Sequence, residues 1–289
     1  MFSWSKEIFK KYSLFSLLFT LSVILWGAWV RFSHSGDGCG NDWPLCKGRL
    51  TPDSFSALME WIHRATSGLS LLIIFALVFL AFKIYPKKHL MRKLALAAGL
   101  LILVEALIGA VLVLASLTGS DSSNLRVAVL AFHLINSLLL VAVLTLCWQN
   151  AFSERITVKK PHIYFVCIFP ILALTGSIAS LAGTLFPSES LIQSFLLDFL
   201  PESHITLKLR PLHPLLALGF AAFCLIAFAE KKKALAGMAL IAVCSGIATL
   251  IFLSPTWLKL SHLFIAYTFW IVLVKNTFDG HPNHKKTFP

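Results

Sequence analysis

Glu60-Trp-Ile-His63-Arg64-Ala-Thr-Ser67-Gly-Leu-Ser-Leu-Leu-Ile-Ile-Phe-Ala-Leu-Val-Phe-Leu-Ala-Phe82 is a polar head on an uncharged apolar run. A helix rising 1.5 Å per residue needs about 20 such residues to cross a hydrocarbon core roughly 30 Å thick. The stretch therefore predicts a membrane span over 59–82 whose first turns carry a carboxylate, an imidazole and a guanidinium. Seven further runs fit the same template, at 12–33, 92–117, 127–149, 162–184, 211–229, 234–253 and 257–275. Across 289 residues the chain is 57% hydrophobic and only 13% charged, against about 25% charged in soluble domains. The expected fold class is an all-α integral membrane protein with eight transmembrane helices. The first run is too long, and its flanks wrong, for a cleaved signal peptide, and no Arg-rich transit segment precedes it. A bacterial plasma membrane is the expected location.

The net charge of +12 would suit a nucleic-acid binder, but its distribution speaks for topology. Seventeen of the 25 Lys and Arg fall at the N-terminus and in alternate connections: Lys6, Lys10, Lys11, Lys83, Lys87, Lys88, Arg92, Lys93, Arg155, Lys159, Lys160, Lys231, Lys232, Lys233, Lys275, Lys285 and Lys286. The positive-inside rule puts that side, with both termini, in the cytoplasm. Membrane lipid is an expected partner and nucleic acid is not.

Spans one to four and five to eight read as two copies of one unit, giving two tandem four-helix bundles. The N-terminal bundle covers 1–150, a cytoplasmic linker 151–161, and the C-terminal bundle 162–289. His63 in span two corresponds to His213 in span six, and His133 in span four to His262 in span eight. An even number of spans per unit makes the repeat parallel. Gly27 through Gly36 also faintly echoes Gly176 through Gly183. All four histidine-bearing spans run inward, so the imidazoles fall at one depth, toward the outer leaflet. Four residues beyond each stand Ser67, Ser137, Ala217 and Ala266. They share the histidine face and leave room for a flat macrocycle or for close helix approach.

Ionisable residues in a membrane are costly and mark functional interiors. Four histidines at matched positions predict axial ligands for two haems, His63 with His133 and His213 with His262. The second ring nitrogen of each would be oriented by an outer acceptor. The competing reading is four histidines that only bridge helices; zinc lacks an accompanying thiolate or carboxylate set. Glu60 lies one turn before His63 on nearly the same face. It is the candidate catalytic residue, able to relay protons or stabilise developing positive charge; otherwise it serves as a helix-start carboxylate or an ion-pair partner of Arg64. Arg31, Arg64 and Arg210 lie near the outer boundary. They can pair with haem propionates or snorkel into headgroups. Glu105, deep in span three, serves a proton path or bonds a neighbouring helix. His34, His89, His162, His204, His281 and His284 fall in loops or at span ends and read as solvated. Cys39 and Cys46 share an external loop whose compartment permits a disulfide, structural or open to thiol exchange. Cys147, Cys167, Cys224 and Cys244 read as small apolar packing.

Gly27-Ala-Trp-Val-Arg31, Ser35-Gly-Asp-Gly-Cys39, Asp42-Trp-Pro-Leu-Cys46, Glu60-Trp-Ile-His63-Arg64 and Ala182-Gly-Thr-Leu-Phe-Pro187 together resemble the signature of the haem A synthase family. The resemblance implies oxidation of the C8 methyl of haem O to the formyl group of haem A, by successive hydroxylation and loss of water, for cytochrome oxidase assembly. Carried over by position, His63 and His133 would hold the substrate haem and His213 and His262 a haem b. Glu60 would be the catalytic acid, and Cys39 with Cys46 the external cysteine pair. Haem O synthase and a separate electron donor would be partners. The chain departs from the family's pattern in two places. Its second half has no external cysteine pair, and Pro214 rather than arginine follows His213, with Arg210 a substitute. Two other classes compete. A di-haem b-type cytochrome doing electron transfer only would need no Glu60. A secondary transporter would place its binding residues at mid-depth.

Overall fold

The computed structural model describes residues 2–49, 51–228 and 233–281. Lys231, Lys232, His284, Lys285 and Lys286, used above for topology or as solvated groups, lie outside them. The order is α1 (Phe2–Phe32), α2 (Phe55–Ile84), α3 (Leu90–Leu114), α4 (Asn124–Gln149), β1 (Arg155–Val158), α5 (Lys160–Leu185), α6 (Leu191–Phe199), α7 (Ile205–Leu209), α8 (Leu212–Phe228), α9 (Lys233–Ile251), α10 (Thr256–Thr277) and β2 (Phe278–His281). Among the described residues eight helices are long and apolar enough to cross a membrane, α7 and α8 together forming the sixth. Leu72, Phe79, Leu100, Leu107 and Ile226 stand exposed along them. A bilayer solvates such side chains and leaves each helix to satisfy its own backbone.

Local sequence sets the helix starts. Ser54, Ser123 and Ser190 each accept a backbone N–H from the third residue on, at the heads of α2, α4 and α6, the capping geometry these side chains favour. His89 and His204 cap α3 and α7 with ring nitrogens, each accepting the backbone N–H of the second residue on, Met91 and Thr206. His89 also stacks on Tyr85, and His162 lies edge-on to Phe228. These three histidines, expected to be solvated, are half-buried fastenings. Pro214 occupies the first turn of α8, where no intrahelical bond needs its missing N–H.

Helix α1 packs on α2 and α4, and α3 on α2 and α4; α10 packs on α5 and α9, and α8 on α5 and α9. The two sets meet through α1 and α4 against α5 and α10. Trp270 is buried in that seam, stacked on Phe169 at 5.2 Å, and its Nε1 donates to the Leu138 carbonyl at 2.9 Å. The Ser137 and Tyr267 hydroxyls bond across it at 2.7 Å. Such interhelical bonds in membranes average about 0.6 kcal/mol, so they set register more than stability.

One feature departs from the sequence expectation, and a second lay outside it. The stretch expected to be a plain linker contains β1, which pairs antiparallel with β2, Arg155 opposite His281 and Val158 opposite Phe278. Lys159 Nζ reaches Asp279 at 2.8 Å beside it. Four residues carry too little alternation to announce a strand, and the pairing partner is more than 100 residues away. The connection 185–210 contains α6, whose positions Leu191, Ser194, Phe195, Asp198 and Phe199 recur at helical spacing and line the cavity described next.

Candidate functional site

One cavity of about 1350 Å³ runs through both halves toward the histidine-bearing ends of the spans. It exceeds the roughly 300–1,000 Å³ of a single small-molecule pocket. His63, His133, His213 and His262 all line it, as do Ser67, Ser137, Ala217 and Ala266 one turn beyond each. The small residues expected to leave space do border space.

In the C-terminal half the imidazoles of His213 and His262 face each other with centroids 6.2 Å apart and planes at 75°. Two rings bracketing one metal need roughly 2 Å for each metal–nitrogen bond and about 1 Å from each nitrogen to its ring centre, which matches. Each ring is backed by a glycine preceded by a hydroxyl. A Cβ on Gly176 would lie 2.8 Å from His213 Cε1, and one on Gly246 3.2 Å from His262 Cε1. Thr175 Oγ1 donates to the Leu172 carbonyl and lies 3.3 Å from His213 Nδ1. Ser245 Oγ donates to the Ala242 carbonyl and lies 2.9 Å from His262 Nδ1. A hydroxyl has one proton; with that proton on the Leu172 and Ala242 carbonyls, each oxygen is placed to accept from the imidazole. Nδ1 is then the protonated nitrogen and Nε2 keeps the lone pair that ligates a metal.

The N-terminal half is built differently. Gly27 backs His63, a Cβ there falling 2.6 Å from Cε1. The residue before it is Trp26, whose Nε1 donates instead to the Met59 carbonyl at 3.0 Å. His63 Nδ1 is buried with no hydrogen-bond partner. His133 Nδ1 has none either, but Glu105 Oε1 stands 3.5 Å away. Asn136 Nδ2 holds the other Glu105 oxygen at 2.5 Å and donates to the Leu101 carbonyl as well. Glu105 thus bonds a neighbouring helix and faces a histidine at once.

Glu60 borders the cavity and is 3% exposed. Its Oε2 accepts the Cys39 N–H at 2.9 Å, and its Oε1 accepts from Arg64 Nε at 3.1 Å and Nη2 at 2.5 Å. Cys39 and Cys46 form a disulfide. Arg64 further donates to the carbonyls of Gly40, Asp42 and Leu45. All five guanidinium donors are therefore committed to Glu60 and the disulfide loop, and a propionate would have to displace one. The loop is clamped down over the carboxylate, fixing where it sits.

Arg210 pairs with Asp198 at 2.7 Å and donates to the Ser194 carbonyl, tying α7 to α6. Burial pushes the Asp198 carboxyl up, against the pull of Arg210. Arg31 reaches across the seam to Ser177 and Ser180 of α5. Two cations on the cavity wall, Arg126 and Lys259, escaped the sequence reasoning. Each sits in the first turn of a histidine-bearing span, seven residues before His133 and three before His262, and that placement was the available signal.

Residues 10–274 match the family described as cytochrome oxidase assembly protein, COX15-CtaA. A protoheme IX farnesyltransferase of Thermus thermophilus is 31% identical over 282 residues, covering 89% of this chain and 46% of that protein. A heme A synthase of Listeria monocytogenes is 29% identical over 200 residues, 64% of each chain. One from Symbiobacterium thermophilum is 39% identical over 95 residues, 32% of this chain and 31% of that protein. The chain spans about half the length of the first of these relatives.

Proposed function

Because the chain belongs to the COX15-CtaA family of cytochrome oxidase assembly proteins, we propose that it acts as a haem A synthase. In this reading it is an oxidoreductase that converts the C8 methyl of haem O to the formyl group of haem A. His63 and His133 hold the substrate haem in an N-terminal bundle, 1–150. His213 and His262 hold a resident haem b in a C-terminal bundle, 162–289. The observation that carries the proposal is the His213–His262 pair, at metal-bracketing separation and with a hydroxyl within hydrogen-bond distance of each Nδ1. The single cavity joining that pair to His63, His133 and Glu60 supports a coupled second site.

Haem b supplies one-electron chemistry when bound. The chain's own residues do the rest. Glu60, held in place by Arg64 and the Cys39 N–H, provides negative charge or a proton acceptor beside the methyl group being oxidised. The clamped disulfide loop keeps that carboxylate from swinging into solvent. The apolar cavity walls exclude water around it and strengthen its electrostatic effect. The match to a farnesyltransferase of Thermus thermophilus supports a haem O-producing prenyl transferase as the upstream partner, with a separate electron donor. The basic connections support both termini cytoplasmic and the cavity mouth outside, in the bacterial plasma membrane expected above.

Purified protein, extracted and chromatographed for haems B, O and A, tests this directly. Glu60→Gln should keep its pigment and lose haem A formation by about 100-fold or more, the usual weight of a positioned acid or base. Undiminished conversion would refute the catalytic role, and pigment-free protein would refute the haem sites.

A further inference from the structure

Three cations converge on the cavity wall where the two halves of the chain touch, and two of them lack a carboxylate partner. The Arg31 guanidinium lies 4.8 Å from the centroid of the Phe32 ring, and Lys259 Nζ lies 4.7 Å from the same centroid. Arg31 makes only two long bonds, 3.4 Å each, to the Ser177 and Ser180 hydroxyls, and its buried Nε has no acceptor. Lys259 bonds one hydroxyl, Thr184 Oγ1, at 3.2 Å. Arg126 is 4% exposed. Its Nη1 donates to the carbonyls of Gly119 and Asp121, and its Nε is also unpartnered. Asp121 and Asp37 lie within electrostatic reach of Arg126. Among the described residues the ion pairs join other groups, none of them Arg31 or Lys259.

This arrangement is unfavourable as it stands. Like charges in a low-dielectric wall repel strongly, and the hydroxyls facing them are neutral. Arg126 and Lys259 also occupy the first turns of α4 and α10, where the helix dipole disfavours a cation. Arg64 and Arg210 differ, since Glu60 and Asp198 neutralise them. An anion with oxygens in a plane would satisfy the guanidinium forks, the ammonium and the open Nε positions together.

The geometry points to a carboxylate seat at the seam, in which Arg31, Arg126 and Lys259 bind the paired carboxylates of a porphyrin lying in the cavity. This rests on the haem reading above and goes beyond it. Arg31, anchored on α1 and bonded to Ser177 and Ser180 of α5, belongs to both halves. Loading one half therefore orders a side chain that the other half uses. The same cations would also hold a lipid headgroup phosphate, the second source of such an anion.

The test titrates full-length protein in phosphatidylcholine discs with protohaem IX and with its dimethyl ester, following the Soret band. The free acid should bind about tenfold or more tighter than the ester. Arg31→Gln, Arg126→Gln and Lys259→Gln should each shrink that preference several-fold while leaving ester affinity unchanged, which also reports intact folding. Without pigment, Lys259→Gln should melt at a higher temperature than the parent, since a repulsive charge is gone, and should gain less on adding protohaem. Equal binding of acid and ester, or a preference that survives all three substitutions, overturns this assignment alone. Loss of the acid preference in phosphatidylglycerol discs assigns the seat to lipid phosphate and overturns the porphyrin source. No Soret shift with either pigment overturns the haem reading and this seat with it.

Discussion

The two halves hold their histidines to different standards. In the C-terminal half a Thr175-Gly176 pair and a Ser245-Gly246 pair each give one imidazole a flat backbone to lie on and an oxygen to take its Nδ1 proton. In the N-terminal half Trp26-Gly27 supplies the flat surface without the oxygen, and the His63 Nδ1 is left unpartnered. The first arrangement fixes ring, tautomer and spacing before any ligand arrives. The second leaves the His63 ring free to adjust. A resident cofactor suits a preorganised pair, because little ordering remains to oppose binding. A substrate that must leave as product suits a pair that does not hold too tightly.

The glycines offer the largest way to break this comparison. Gly176→Ala would press a methyl group to 2.8 Å from a ring that Thr175 already holds. Such overpacking costs about 3 kcal/mol at its upper end, or roughly 100-fold in C-terminal haem affinity. Gly27→Ala creates an even closer approach, 2.6 Å, to a ring without that tether. His63 can swing aside, so the loss should stay near tenfold, about 1.4 kcal/mol. Soret titration of each variant measures both. Equal losses in the two halves would mean the hydroxyls do not constrain the rings.

A smaller effect comes from the hydroxyls themselves. Thr175→Val and Ser245→Ala remove the acceptor and keep the packing, and outer partners of ligating histidines are worth about 10–100-fold in metal affinity. Each substitution should weaken C-terminal haem binding about tenfold, with Thr175→Ser restoring it. Unchanged affinity in both would leave the contrast between halves as a matter of shape alone.

Much of this was legible in the chain. Eight spans follow from run length and composition, and His63, His133, His213 and His262 meet around one cavity, as their matched depth predicted. The echo between Gly27 and Gly176 looked faint as sequence; the shared role under an imidazole explains it. What stayed hidden depends on directions that a linear pattern does not carry. Which way Arg64 turns decides whether it faces a ligand or clamps the loop over Glu60. Thr175 and Ser245 are ordinary helix hydroxyls until their single proton is traced to the Leu172 and Ala242 carbonyls. Arg126 and Lys259 went unread, since nothing in sequence brings Lys259 to the ring beside Arg31.

The smallest expected effect separates the two histidines within the N-terminal half. Glu105 Oε1 stands 3.5 Å from His133 Nδ1 and is steadied from its other oxygen by Asn136. A carboxylate opposite the outer nitrogen makes an imidazole a stronger donor to metal, favouring the oxidised state of the bound iron. Glu105→Gln keeps the shape and removes the acid's ability to take up negative charge opposite a ligated imidazole. Pigment content should stay the same, while the midpoint potential of the N-terminal haem rises by about 30–60 mV. That range corresponds to a roughly three- to tenfold change in relative affinity for the two iron states, 59 mV being tenfold for one electron. The C-terminal haem, paired with hydroxyls, should not move and serves as the internal reference in the same redox titration. A shift of both potentials together would assign Glu105 to the general field of the cavity, and no shift would leave it a helix-bonding residue only.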